Sequence, residues 1–292
     1  MRGASRSADR DPLAPVGARY LARGLRAAVA SPADAGDRLI EKLAVRWEQA
    51  RRGGCAPEHP GAEGWERGLH DMLGVSWPCP GAEAFADTWA GVLDTMTRLG
   101  LRVGRGNYGD QDDADPGLAR ALWCIVHHLR AEVVIETGVA HGVSSRVMLE
   151  ALRDTSAGQL YSIDLPPMLV PERRSELGVA VPITLRDRWM LLEGSSRRQL
   201  PGLLRRVEQI DLFVHDSRHS TRNVYWELAT AWPKLRPGGL VIVDDADVNW
   251  GFERFLAAGS DRQPLWCIAD DGQRHFAIAR KVSRKGAGGS AS

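Results

Sequence analysis

The chain reads as an α/β protein: a doubly wound sheet that ends in an antiparallel hairpin and is preceded by a helical N-terminal region. Three observations predict this. From about residue 131, short apolar runs alternate with helical patterns, as expected of parallel strands buried on both faces by their crossover helices. Before that point apolar residues recur at helical spacing. Near the end, two strand-like runs flank Asp271-Gly272, a turn dipeptide suited to a hairpin.

In chain order, Ser31-Pro32-Ala33-Asp34 reads as a helix start with proline at the first helical position. Leu39, Ile40, Leu43, Ala44 and Trp47 then follow on one face of an amphipathic helix. Residues 51–82 hold seven glycines and four prolines and are expected to form a long connection with at most a short helix. Phe85, Trp89, Val92, Leu93 and Met96 predict a second helix. Asp115-Pro116, followed by Leu118, Leu122, Ile125, Val126 and Leu129, predicts a third. Strands are expected at Val133–Glu136, Leu160–Ile163, Trp189–Leu192, Leu212–Val214 and Leu240–Val243, with helices at 144–153, 196–207 and 220–235. Leu265–Ala269 and His275–Arg280 form the closing hairpin. The segment 166–188, with Pro166, Pro167, Pro171 and Pro182, is long for a crossover and is open to reading as a lid or as an ordinary helical connection.

Composition narrows the function. The 292 residues suffice for a catalytic domain with an extension. Lys plus Arg (38) against Asp plus Glu (37) leaves a net charge of +1, which gives no whole-chain attraction for nucleic acid or an anionic membrane. No apolar run approaches the roughly 18–20 residues of a membrane span, and the polar first residues lack a signal-peptide core. A cytoplasmic protein acting on a small molecule is expected. Cys55, Cys79, Cys124 and Cys267 are widely spaced and form no Cys-x-x-Cys pair, so reduced structural thiols are expected rather than a zinc knuckle or a disulfide scaffold. Residues 1–16 and 284–292, rich in small and polar residues, are expected to be disordered.

Four stretches carry chemistry. Glu136-Thr137-Gly138-Val139-Ala140-His141-Gly142 joins a strand to a helix, where glycines permit a tight turn and close ligand approach beside unpaired helix N–H groups. A merely tight turn would need the same glycines. Ala140 replaces the middle glycine of a dinucleotide fingerprint, which argues against NAD. Asp164 ends the second strand, where it can accept ribose hydroxyls or cap the loop that follows. Glu193-Gly194-Ser195-Ser196 offers small polar groups suited to an adenine edge. Asp216, Asp244 and Asp245 lie at the ends of the fourth and fifth strands. Converging carboxylates repel unless a hard cation such as Mg²⁺ neutralises them. The alternative is that they cap helices and loops.

The order Glu-x-Gly-x-x-x-Gly, Ile-Asp, Gly-x-Ser, Asp-x-x-His-Ser, Leu-Arg-Pro-Gly-Gly and Asp-Asp resembles class I S-adenosylmethionine-dependent methyltransferases. It is most similar to their metal-dependent small-molecule branch, which includes catechol, macrocin-type and cephalosporin-hydroxylase-like members. The resemblance spans about residues 116–281. It implies a seven-stranded Rossmann-like methyltransferase sheet over 116–283, with residues 17–115 as the helical N-terminal region. It further implies an O-methyltransferase using S-adenosylmethionine and Mg²⁺ on a small hydroxylated acceptor, a sugar or natural-product intermediate.

Carried over by position, Glu136, Gly138 and Gly142 would surround the methionine part of the cofactor, Asp164 its ribose and Ser196 its adenine. Asp216, Asp244 and Asp245 fall on metal-ligand positions, although catechol-type enzymes carry Asn at the last. His219 stands where those enzymes carry a catalytic lysine, and Arg218 stands where many relatives carry a second Asp. A neutral imidazole can take a proton near pH 7, so His219 is the expected base. His141 is expected to meet the cofactor or solvent, and Trp189, Trp250 and Phe252 to wall the acceptor or to join the core. The competing reading is a cofactor-binding protein of this fold with little methyl transfer. A nicotinamide oxidoreductase and a nucleic-acid methyltransferase rank below it. Whether the N-terminal region is a lid or a homo-oligomer contact stays open.

Overall fold

The computed structural model describes residues 63–104, 106, 108, 113–165 and 171–283, with positions 32, 35–37, 39, 40, 43 and 45–47. The ends expected to be disordered and the first part of the 51–82 connection lie outside the described residues. The described positions of 32–47 are all helical. Their apolar stripe is not buried, however: Leu39, Ile40, Leu43 and Trp47 are each at least half exposed.

Three continuously described helices precede the sheet: α1 (Trp65–Leu73), α2 (Ala82–Arg98) and α3 (Pro116–Leu129). The first is the short helix allowed within the glycine-rich connection. The start of α3 follows from its sequence, since Pro116 needs no N–H partner at the first turn and the Asp115 side chain accepts from Gly117 N at 2.7 Å. The same Asp115 oxygen accepts from Asp270 N at 2.9 Å, fastening the distant hairpin turn to this helix.

The sheet comprises β1 (Val133–Thr137), β2 (Gln159–Asp164), β3 (Trp189–Glu193), β4 (Ile210–His215), β5 (Leu235–Val243), β6 (Arg262–Ile268) and β7 (His275–Lys281). Their order is β3-β2-β1-β4-β5-β7-β6, with β1 to β5 parallel and β7 antiparallel to both neighbours. Helices α4 (Val143–Asp154), α5 (Ser196–Arg206), α6 (Thr221–Ala231) and α7 (Gly251–Ala257) complete the fold. Each predicted strand is present, and α7 is an addition that sequence periodicity missed. Short 3₁₀ turns occupy Pro171–Glu176 and Ile183–Arg188.

Strand alternation divides the core in two. Val134, Leu212, Val214, Leu240 and Ile242 face one side and pack with α1 to α4, through Leu69, Val92, Leu122 and Val147. Ile135, Phe213, Val241 and Val243 face the other and meet Leu200 and Leu203 of α5, Val224 and Leu228 of α6, and Phe252 and Phe255 of α7. This explains why the central strands read as continuous apolar runs. At the opposite edge from the loops described below, the Asp211 carboxylate accepts from the Glu132 and Val133 amides at 3.0 and 2.8 Å and pairs with Arg236, joining β1, β4 and β5. Among the described residues no helix is long and apolar enough to cross a membrane.

Candidate active site

Sheet order reverses direction between β1 and β4, and ligands of open α/β sheets bind beyond the strand C-termini at such a point. Both chemistry-bearing loops meet here. Gly138 has φ +90°, and a Cβ there would stand 1.9 Å from the Asp216 carbonyl oxygen. Any side chain at 138 therefore displaces the Asp216 backbone, so a bulky replacement disturbs the local fold as well as ligand access. Gly142 (φ +82°) starts α4, and its missing Cβ admits Gly178 Cα at 2.9 Å.

Glu136 is fully buried beneath this loop and accepts hydrogen bonds from Ser144 and Ser145 Oγ at 2.5 Å and Ser162 Oγ at 2.7 Å. Burial pushes its carboxyl up to about 7, the three hydroxyls pull it down, and the charge of Asp216 adds to the rise. Asp164 turns one oxygen onto the glycine loop, accepting from Val139 N at 2.8 Å and Ala140 N at 2.9 Å. This carboxylate thus fixes the loop from the end of β2, which is the capping role.

His141 meets neither solvent nor open space. It is fully buried, with Nδ1 at 3.0 Å from Asp113, Nε2 at 3.5 Å from Glu176 and the Tyr108 ring edge-on at 5.0 Å. The described part of the 166–188 segment also pairs with the loop backbone, through Gly178 N to Ala140 O and Ala180 N to His141 O, both 2.9 Å. It acts as a buttress for the glycine loop. Ser196 opens α5, and its hydroxyl helps hold the Glu227 carboxylate charged. The neighbouring Ser195 donates to Asp37 of the N-terminal segment.

The acidic cluster differs in detail from three convergent carboxylates. Ligand atoms of Asp216, His219 and Asp244 lie within 4.8 Å of one another. Asp245, with φ +48°, instead directs Oδ2 to His219 Nδ1 at 3.0 Å. His219 Nε2 is then 3.7 Å from Asp216 Oδ1, buried and without a hydrogen-bond partner. Burial raises the carboxyls of Asp216 and Asp244, the latter further through the charges of Asp216 and Asp245. Burial alone would lower the imidazole of His219, but the facing carboxylates of Asp216, Asp245 and Asp244 hold it well above its ordinary range. The two converging carboxylates of Asp216 and Asp244 suit a divalent cation, and the unpartnered Nε2 of His219 stands beside them.

Sequence reasoning missed the support under this cluster. Glu227 of α6 is fully buried and accepts from Thr137 Oγ1 (2.6 Å), Ser217 Oγ (2.8 Å) and Asn223 Nδ2 (3.0 Å), with His215 Nδ1 at 2.7 Å. Burial would raise its carboxyl, but the charge and hydrogen bond of His215 and the hydroxyls of Ser196 and Thr137 bring it to about 2. The available signal was an acid at the apolar spacing of Val224, Leu228 and Ala231. Arg274, from the hairpin turn, places its charge near Asp244 and Asp245, and no local pattern announces that.

Residues 135–246 match the protein family described as a methyltransferase domain. The segment that carries the glycine loop and the acidic cluster is thus similar to a methyltransferase domain. Among solved structures, an O-methyltransferase from Bacillus cereus in complex with SAH shares 20% identity at a TM-score of 0.50, covering 75% of this chain and 98% of that one. A candidate O-methyltransferase from Klebsiella pneumoniae shares 21% identity at a TM-score of 0.50, covering 76% of this chain and 97% of that one. At such identity the likeness lies in the fold. No curated protein matches the chain.

The matched segment contains Glu136, Gly138, Gly142, Asp164, Ser196, Asp216, His219, Asp244 and Asp245. Of the aromatics expected to wall an acceptor or to join the core, two take the second role. Phe252 is fully buried against Trp266 and Phe255, and Trp189 packs on the core with Nε1 donating to Ser162 Oγ at 2.9 Å. Trp250 is half-buried at the start of α7, its amide bonded to Thr221 Oγ1 at 3.0 Å.

Proposed function

We propose that the protein is an O-methyltransferase that moves the methyl group of S-adenosylmethionine to a hydroxyl of a small molecule, a sugar or natural-product intermediate, with Mg²⁺ at the acidic cluster. The observation that carries this is the close approach of Gly138 to Asp216, which sets the glycine loop and the acidic cluster side by side. A methyl donor on one loop and a hydroxyl held at the other would then be neighbours. The related structures named as O-methyltransferases, one of them with SAH, favour the same reading.

In this reading the Glu136–Gly142 loop takes the methionine part of the cofactor, Asp164 the ribose and Ser196 the adenine side. Asp216 and Asp244 hold the cation, and Asp245 completes its surroundings through His219. When bound, a divalent cation lowers the pKa of an acceptor hydroxyl. The protein's own contribution is alignment, because methyl transfer needs the hydroxyl oxygen in line behind the methyl carbon. With the charges of Asp216 and Asp244 offset by the cation they would hold, His219 would be neutral near pH 7; Asp245 fixes it through Nδ1, so Nε2 would take the hydroxyl proton and the charge of Asp245 would stabilise the resulting imidazolium.

The test is turnover of methyl-labelled cofactor with a library of hydroxylated acceptors, with Mg²⁺ and with chelator. Expected are metal-dependent transfer, its loss in Asp216→Ala and Asp244→Ala with cofactor binding retained, and a kcat about 10²–10⁴-fold lower in His219→Ala. Cofactor binding without transfer across acceptors and metals would instead support a binding protein of this fold.

A further inference from the structure

A second cluster lies far from the acidic one in sequence and in chemistry. His70 of α1, Cys79 in the turn between α1 and α2, and Cys124 and His128 of α3 bring one ligand atom each to within 4.8 Å of all the others. The two sulfurs are 3.7 Å apart, and Cys79 Sγ is 3.3 Å from His128 Nε2. Bonds of about 2.3 Å from zinc to sulfur and 2.0–2.1 Å to nitrogen, at the tetrahedral angle, place two sulfurs about 3.8 Å apart and a sulfur and a nitrogen about 3.5 Å apart. The side chains thus already stand close to the edges of such a tetrahedron.

His70 supplies an independent sign. Its Nδ1 faces the Glu66 carbonyl oxygen at 2.7 Å, the outer contact that commonly orients a metal-binding imidazole. The other nitrogen, Nε2, is buried with no hydrogen-bond partner on a residue 1% exposed. A buried polar atom without a partner is costly, and a metal at the centre of the cluster would satisfy it. Cys124 and His128 are one helical turn apart and so share a face of α3.

We infer that His70, Cys79, Cys124 and His128 form a structural zinc site that staples α1 and the following turn to α3. Two thiolates and two neutral imidazoles around Zn²⁺ sum to zero charge, which suits buried surroundings. Binding exchanges the two thiol protons for the metal and involves no redox change. Sequence reasoning set zinc aside because no Cys-x-x-Cys pair exists. The ligands arrive instead as two Cys/His pairs joined only by the fold.

The test is a Co²⁺ titration of the reduced full-length chain, stripped of metal and held in excess Mg²⁺ so that an oxygen-rich site is filled. Expected is saturation at a single equivalent, with thiolate-to-cobalt charge transfer and the visible bands of a tetrahedral site, both displaced by Zn²⁺. Zn²⁺ should also protect two thiols from a thiol reagent and raise Tm. Cys79→Ser, at a half-buried turn position, should lose the charge-transfer intensity in large part, whereas Asp216→Ala should keep it. Absence of charge transfer in the wild-type chain overturns the site, as does its persistence in a Cys79→Ser, Cys124→Ser double variant. So does formation of a Cys79–Cys124 disulfide with no metal uptake after reduction. Because the wild-type spectrum decides the matter, misfolding of a variant cannot rescue the proposal.

Discussion

Glu136 and Glu227 are both fully buried, yet their partners give them opposite pH signatures. Glu136 is held by three serine hydroxyls and no cation, and its carboxyl rises from 4.5 to about 7. Its contribution to stability is therefore full below pH 4.5 and is lost as pH rises through 7, a change of about 3 kcal/mol. Glu227 is paired with His215 and lowered from 4.5 to about 2. Its contribution, again about 3 kcal/mol, is present above pH 4.5 and is lost as pH falls toward 2. Urea unfolding across these ranges should show Glu136→Gln removing a loss of stability on going from acid to neutral pH, and Glu227→Gln removing a gain. Identical pH profiles for wild type and either variant would contradict the assignment. At Gly138 the backbone decides. Alanine there meets the Asp216 carbonyl at 1.9 Å in a left-handed conformation, so Gly138→Ala should lower Tm and weaken divalent-cation binding at the acidic cluster, as measured by calorimetry. An unchanged Tm would mean that the two loops are not in contact.

The elements are joined by a few polar clamps whose cost of removal can be stated. Asp115 caps α3 and also accepts from Asp270 at the hairpin turn. Loss of an N-cap costs about 0.5–2 kcal/mol, and here the second bond goes with it. Asp115→Ala should therefore fall at the upper end of that range in denaturant unfolding, while Asp115→Asn, which keeps an acceptor oxygen, should lose less. Equal effects of the two would show that charge, not capping, is the source. Helix α2 was legible because Phe85, Val92 and Met96 recur at helical spacing and are buried together. The short α7 was not, since seven residues that include Gly251 and carry two buried phenylalanines present too brief a pattern.

Across the whole molecule the sheet separates two cores, so neighbouring strand residues belong to different packing units. Ile135 lies in one and Ile242 in the other. Ile135→Val and Ile242→Val should each cost about 0.5–1.5 kcal/mol, and the double variant should equal the sum within about 0.3–0.5 kcal/mol because the side chains share no partners. A larger coupling would mean that strain passes through the sheet. The doubly wound sheet, the closing hairpin and the places of Glu136, Asp164, Asp216 and Asp244 at strand ends are legible along the chain, because strand periodicity and turn chemistry are local properties. Packing in three dimensions is what turns Asp245 to His219, buries His141 against Asp113 and Glu176, sets Glu227 under the acidic cluster and brings His70, Cys79, Cys124 and His128 together. Each of these joins residues on separate elements. Their meeting depends on strand order, helix packing and side-chain direction, none of which is written in the spacing of residues along one element.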